Sequence, residues 1–240
     1  MDKQRTEKNQ YLECEKVWVF ALLMYVGGCL GAFTYSIRGG VFCNAQTGNL
    51  LLLGMALGRG AWKDVLYYFI PLSAYVLGTL ISESIAGPIK KLNLLRWDTI
   101  FVMIEMAAVV FLGLLPETAP FQITHVVVNF ICSMQYNTFR QAEGVPMATT
   151  FCTNHVRQMS VALSKAMRGK GDENWGRSSR HAVMLIAFIA GASTAVITCG
   201  IWQGRGLLIA LIPLGIVLAD LLYADLKKEK GNLQQVPHGH

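Results

Sequence analysis

The apolar positions of this chain gather into eight stretches, at about 17–37, 47–58, 65–87, 97–115, 121–139, 153–164, 181–200 and 206–223. A helix rises 1.5 Å per residue and a bilayer core is about 30 Å thick, so most of these stretches predict helices of membrane-crossing length. The second and sixth hold only about 12 apolar-leaning residues each, about 18 Å of helix, which is too short to cross unaided. Each follows a polar, Thr/Asn-rich knot. Val41-Phe42-Cys43-Asn44-Ala45-Gln46-Thr47-Gly48-Asn49-Leu50 reappears about 105 residues later as Met147-Ala148-Thr149-Thr150-Phe151-Cys152-Thr153-Asn154-His155-Val156. Leu77-Gly78-Thr79-Leu80 after the first copy is echoed by Ala190-Gly191-Ala192-Ser193 after the second. Paired polar breaks in the two halves of an apolar chain point to a transport site.

Lys and Arg test the topology, because cytoplasmic loops carry the excess. If all eight stretches crossed, Lys90, Lys91 and Arg96 would lie outside, and the loop Pro116-Glu117-Thr118-Ala119-Pro120, with no basic residue, would lie inside. If the second and sixth enter and leave by one face, the inside gains residues 1–16, Lys90, Lys91, Arg96, the 165–180 loop and the Lys227-Lys228-Glu229-Lys230 segment. Arg38, Arg59, Lys63 and Arg205 stay outside. The prediction is therefore an all-α membrane protein with six transmembrane helices and two short re-entrant half-helices. Its units are a cytoplasmic tail at 1–16, a first repeat at 17–115, a second at 121–223 and a cytoplasmic tail at 224–240. Three crossings per repeat turn the second upside down relative to the first, an inverted-topology repeat. The two half-helices then begin near Thr47 and Thr153 and face each other at mid-depth.

Composition agrees: 53% of residues are hydrophobic and 15% charged, too apolar for a soluble domain. Residues 17–35 are too long for the apolar region of a signal peptide, so they read as a retained first span in a cell membrane. The net charge of +6 sits beside the spans, where orientation and anionic lipid explain it; no nucleic-acid partner is expected. The six cysteines form no CxxC pair and read as small buried hydrophobes, so no metal site or cofactor is expected. Pro237-His238-Gly239-His240 reads as an unstructured tail. Gly27/Gly31 and Gly54/Gly58 have GxxxG spacing, which predicts close packing within the bundle, with a homodimer interface as the alternative.

Gly27-Gly28-Cys29-Leu30-Gly31-Ala32-Phe33-Thr34-Tyr35, followed by Gly39-Gly40-Val41-Phe42 and Gln46-Thr47-Gly48-Asn49-Leu50-Leu51-Leu52-Leu53-Gly54, resembles the YoaK family of uncharacterised membrane proteins. Its most specific string matches Val41 to Asn49, and a weaker one matches Thr149-Thr150-Phe151-Cys152-Thr153. The family commonly has Asp where Gly31 stands and Gly where Asn154 stands. The resemblance implies the fold and carries no activity.

Irregular backbone at membrane depth is tolerated only where it is buried in protein or lines a cavity, which makes the knots the candidate site. A half-helix start offers free N–H groups and the positive end of a dipole, so Asn44, Gln46, Thr47, Asn49, Thr150, Thr153 and His155 are candidate ligands for an anion or polar carbonyl. The competing reading is that these side chains cap the half-helices and bond to one another. Arg157, one turn into the second half-helix, would reinforce anion selectivity or snorkel to the cytoplasm. Glu105 sits mid-span, where an ionised carboxylate costs at least about 2.5 kcal/mol, and is a functional candidate or a structural pair. Asn129, Gln135, Tyr136 and Asn137 give the fifth stretch a polar stripe that faces the site or bonds other helices.

The chain has no GxSxG, HExxH or Walker sequence, so no enzyme is expected. The expected function is a secondary transporter of a small polar or anionic solute in the bilayer. A channel using the same half-helices and a non-transporting scaffold are the alternatives.

Overall fold

The computed structural model describes residues 11–92, 94–169 and 171–239, without the side chains of residues 90–92. Residues 1–10 of the expected N-terminal tail, and His240, lie outside the described residues. Among the described residues eight α-helices carry the fold: α1 (Val17–Ile37), α2 (Gln46–Gly58), α3 (Trp62–Leu92), α4 (Trp97–Leu114), α5 (Phe121–Thr138), α6 (Thr153–Met167), α7 (Glu173–Trp202) and α8 (Leu211–Tyr223). A small hairpin, Gln141–Ala142 with Val145–Pro146, follows α5. The helices begin or end within a few residues of the eight apolar stretches, except that α7 starts eight residues earlier, at Glu173 rather than 181.

Among the described residues, four helical segments are long and apolar enough to cross a membrane: Val17–Ile37, Trp62–Ile89, Trp97–Leu114 and Glu173–Lys228. The last, 56 residues long, would reach about 84 Å if straight. It doubles back at the 3-10 turn Gln203–Ala210, where Thr198 Oγ1 donates to Gly206 O at 2.9 Å. α5 matches α4 in length but carries Gln122, His125, Asn129 and Gln135. The last three are fully buried, so this part of its polar stripe turns inward rather than toward lipid, whereas Tyr136 is exposed and Asn137 donates to Glu83 near the helix end.

The burial pattern is inverted relative to a water-soluble protein. Glu105, His125, Asn129, Gln135, Thr149 and Thr150 are 0% exposed, while Leu51, Leu66, Phe69, Leu80, Ile186, Ile189 and Ile212 are each more than half exposed. Lipid solvates such apolar side chains and cannot satisfy the polar ones, so this is the arrangement of a membrane-embedded protein. α1 is the central helix, 67% buried in its apolar window, and α3 is peripheral at 17%.

Small residues set the helix pairing. α1 lies along α7, where a Cβ on Gly28 would overlap Phe188 O and one on Gly191 would overlap Tyr25 O. Cys29 Sγ donates to Gly191 O at 3.2 Å in the same seam. α3 lies along α5 in the same manner, with Gly78 pressed onto Phe130 O. The GxxxG expectation divides. Gly27 and Gly31 meet the knots, against Thr149 O and Asn44 respectively, whereas Gly54 and Gly58 meet nothing within 4 Å.

One end of the bundle is closed by Arg38, which is 1% exposed. Its Nη1 donates to Pro116 O at 3.1 Å and its Nη2 to Leu115 O at 2.9 Å. Its carbonyl meets His125 Nε2 at 2.6 Å, and the guanidinium stacks over Phe33. The glycines that follow, Gly39 and Gly40, have φ of +91° and +73°, which lets the chain leave α1 sharply toward the first knot. At the other end the segments flanking α1, α4, α5 and α8 form a cap. Arg96 N donates to Asp225 Oδ2 at 3.0 Å, Glu13 pairs with Lys228, and Glu143 N donates to Glu15 O at 2.9 Å. Residues 233–238 fold onto this cap, including Pro237 and His238 of the segment 237–240 expected as an unstructured tail: His238 donates its backbone N–H to Glu15 Oε1 at 2.7 Å and packs edge-on against Tyr11. Glu15 is 2% exposed and needs those donors, which explains the order of the tail.

Candidate functional site

The two knots, 106 residues apart in sequence, meet. Asn44 is 3% exposed, and its Nδ2 donates to Gly27 O at 3.0 Å and to Thr150 O at 2.9 Å. One amide thus ties the first knot to α1 and to the second knot. Gly31 makes room for it, because a Cβ there would overlap the Asn44 amide. An Asp at position 31, common in the family that this region resembles, would collide with Asn44 unless both moved.

The polar stripe of α5 serves both knots. Gln46 Nε2 donates to Asn129 Oδ1 at 2.7 Å and to Cys43 O at 3.1 Å. Asn129 in turn donates to His125 O at 2.8 Å. Two turns further along, Gln135 Nε2 donates to Leu23 O at 3.2 Å and to Thr149 O at 3.3 Å. Asn49 donates to Phe42 O and to Gln46 Oε1, both at 3.2 Å, which closes the first knot on itself.

α2 and α6 begin at Gln46 and Thr153, within a residue of the expected starts, and neither carries a side-chain cap at its N-terminus, where Ala45 and Cys152 stand. The knot side chains therefore bond to α1, α5 and each other, and the first-turn N–H groups of α2 and α6 keep the positive partial charge of an uncapped helix start. Several buried oxygens also lack partners among the described residues: Asn49 Oδ1, Gln135 Oε1, Thr149 Oγ1 and Thr150 Oγ1 in or against the knots, and both carboxylate oxygens of Glu105 on α4.

The structure separates the candidate residues into two groups. Asn44, Asn49, Thr150, His155 and Glu105 are buried, and Gln46 is half-buried. Thr47, Thr153 and Arg157 are exposed on the surfaces of α2 and α6. His155 is the partner of a residue that the sequence pattern did not single out: its Nδ1 lies 3.0 Å from His181 Nδ1 on α7, and its Nε2 lies 2.9 Å from Ala148 O. Glu83 is largely exposed and pairs with Arg140, as expected for a residue near the helix end. Arg38 and His181 had no sequence signal, since their partners are remote in the chain. No group of three or more His, Cys, Asp or Glu side chains among the described residues has the geometry of a metal site.

A family model described as "Protein of unknown function (DUF1275)" matches residues 19–219. The chain belongs to this family. Proteins resembling YoaK are members of it, so the match agrees with the resemblance carried by Val41–Asn49. The matched span covers both knots and all eight helices of this DUF1275 protein, apart from the first two residues of α1 and the end of α8. No curated protein and no solved structure matches the chain.

Proposed function

We propose that this DUF1275 protein is a secondary transporter of a small polar or anionic solute, with its site where the two knots meet. The observation that carries this reading is the joined pair of knots, Asn44 to Thr150, with uncapped half-helix starts beside partnerless buried oxygens. Free N–H groups offer donors and the oxygens offer acceptors, so the site suits a solute with both kinds of polar group better than a bare anion. Burial of Asn44, Asn49, Thr150 and Glu105 seals it from water in this conformation, and Arg38 closes one end. A sealed site favours alternating access over a standing channel, since a conducting pore needs a continuous wet path.

The proposed architecture is six crossings and two re-entrant half-helices arranged as an inverted repeat, with both termini in the cytoplasm of a cell-membrane protein. Reciprocal pairing supports it: the third helix of each half lies on the first helix of the other, α7 on α1 and α3 on α5. The carbonyl of an aromatic residue receives each of the two glycines, Tyr25 O and Phe130 O, and these residues stand 105 positions apart, one short of the 106-residue offset of the knots. Single-cysteine variants in a cysteine-free background, labelled in intact cells and in inverted vesicles, should place positions 90 and 177 on the cytoplasmic face and 118 outside. Position 90 labelled from outside rejects the two half-helices as re-entrant.

Thr47 separates a ligand role from a capping role. Its side chain is exposed on the first turn of α2 and no side chain caps that helix. Thr47→Val is expected to leave the unfolding temperature in detergent unchanged and to reduce solute uptake, or solute-dependent thermal stabilisation across a metabolite panel, about tenfold, the worth of one hydrogen bond. Full retention of the response excludes Thr47 from the site.

A further inference from the structure

α6 divides its surface into three faces. His155, Ala162 and Ala166 are buried against α7. Val156, Leu163 and Met167, at spacings of seven and four residues, share a second face and are exposed. Arg157, Lys165 and Arg168, at spacings of eight and three, share a third and are exposed too. An apolar face beside a basic one is the pattern of a helix at a membrane surface.

The depth of α6 in the bilayer follows from its neighbours. α1 and α7 cross in parallel near their middles, where Gly28 meets Phe188 O and Gly191 meets Tyr25 O. At one end Arg180 pairs with Glu143, whose N–H donates to Glu15 O just before α1, and at the other Gly204, just after α7, faces Arg38. α1 has 21 residues, which match a hydrocarbon core of about 30 Å. Counting back from the crossing puts its start level with about residue 180 of α7, so Glu173 to Ser179 project beyond the core on the cap side. α6 runs antiparallel beside them: His155 Nδ1 lies 3.0 Å from His181 Nδ1, and Met159 O accepts from Ser178 Oγ at 3.2 Å. The core edge therefore falls between His155 and Met159. Arg157 sits at that edge, and Lys165 and Arg168 stand further out, as does Arg177 on α7. Trp175, 51% exposed, marks the headgroup layer, where Trp is favoured.

The charges at this layer are unbalanced. Arg180 has Glu143, but among the described residues no carboxylate pairs with Arg157, Lys165, Arg168 or Arg177. Asp172 and Glu173 are the acids of the stretch 153–180, and both stand at the start of α7, where a helix N-terminus suits negative charge. Val156 and Arg157 lie too deep for a soluble nucleic acid or protein to reach. A lipid phosphate sits at that depth, and its acyl chains cover the apolar face. We propose that this surface of α6 and α7 binds the headgroups of anionic phospholipids in the leaflet on the cap side. The proposal does not depend on the transport reading.

The test is thermal unfolding of the full-length protein in neutral detergent, titrated with phosphatidylglycerol, phosphatidylcholine, inorganic phosphate or polyglutamate. Phosphatidylglycerol is expected to stabilise at a concentration at least tenfold lower than phosphatidylcholine, the weight of several cations at a charged lipid surface. Lys165→Gln and Arg168→Gln, both at exposed positions, should each weaken that response about fivefold, and the triple variant with Arg157→Gln should remove the preference. Arg59→Gln with Lys63→Gln, which neutralises two exposed cations at the α2–α3 turn, should keep it. Equal responses to the two lipids, a preference that survives the triple variant, or its loss in the α2–α3 control would overturn the proposal. So would stabilisation by phosphate alone, the mark of a free-anion site, or by polyglutamate in place of lipid, the mark of a docking surface for an acidic peptide.

Discussion

Gly191→Leu is expected to abolish folding, and Gly78→Leu to do nearly the same, although neither residue lies in the candidate site. Each glycine is pressed onto a backbone carbonyl of a neighbouring helix, Tyr25 O for Gly191 and Phe130 O for Gly78. A side chain there cannot rotate away from a main-chain atom, so the helices must separate. The lost packing puts the cost at about 3 kcal/mol or more, the upper end of the range for an overfilled core. Gly54→Leu and Gly58→Leu provide the control, because both positions open onto free space. Monodisperse yield and unfolding temperature in detergent would check the series. Equal tolerance at all four positions would mean that the α1–α7 and α3–α5 seams are looser than described, and would remove the reciprocal pairing that supports an inverted repeat.

The second large effect has the opposite sign: Glu105→Met is expected to stabilise the protein. Glu105 is 0% exposed in the middle of α4, and neither of its oxygens has a partner among the described residues. Desolvating a polar group without a compensating bond costs about 1–3 kcal/mol, and an apolar residue of similar volume removes that cost. Glu105→Gln keeps two unsatisfied polar atoms and should gain nothing. The same pair of variants addresses function. If Glu105 serves the proposed solute site, both lose solute-dependent stabilisation while only the Met variant melts higher. A Met variant that melts lower would mean that the carboxyl is satisfied in the bilayer, and a retained solute response would remove Glu105 from the site.

Much of the fold was legible because bilayer solvent makes apolar length nearly synonymous with helix. The start of α1 at Val17, of α4 at Trp97 and of α5 at Phe121 all follow from where continuous apolar sequence begins, and that of α6 at Thr153 from the polar knot before it. The shortness of α2 and α6, the breaks before them and the Leu77–Leu80 and Ala190–Ser193 echo could also be read directly. These are properties of local composition and spacing.

Which groups meet was decided only by tertiary structure, because the physics of a buried hydrogen bond is short-ranged while its partners are far apart in the chain. Asn44 could have capped α2; it instead bonds Gly27 O and Thr150 O, since α1 passes close enough at Gly27 and Gly31 to present a carbonyl. Arg38 reads as a loop charge beside a span but is buried, held by carbonyls 77 and 78 residues away. His155 finds His181, and the C-terminal segment is drawn onto the cap by the donor requirement of Glu15. Apolar patterning along the chain determined that there are helices, where they break and that they belong in lipid. The packing of glycine seams determined which breaks touch, and so which polar atoms are spent on the fold and which are left over for chemistry.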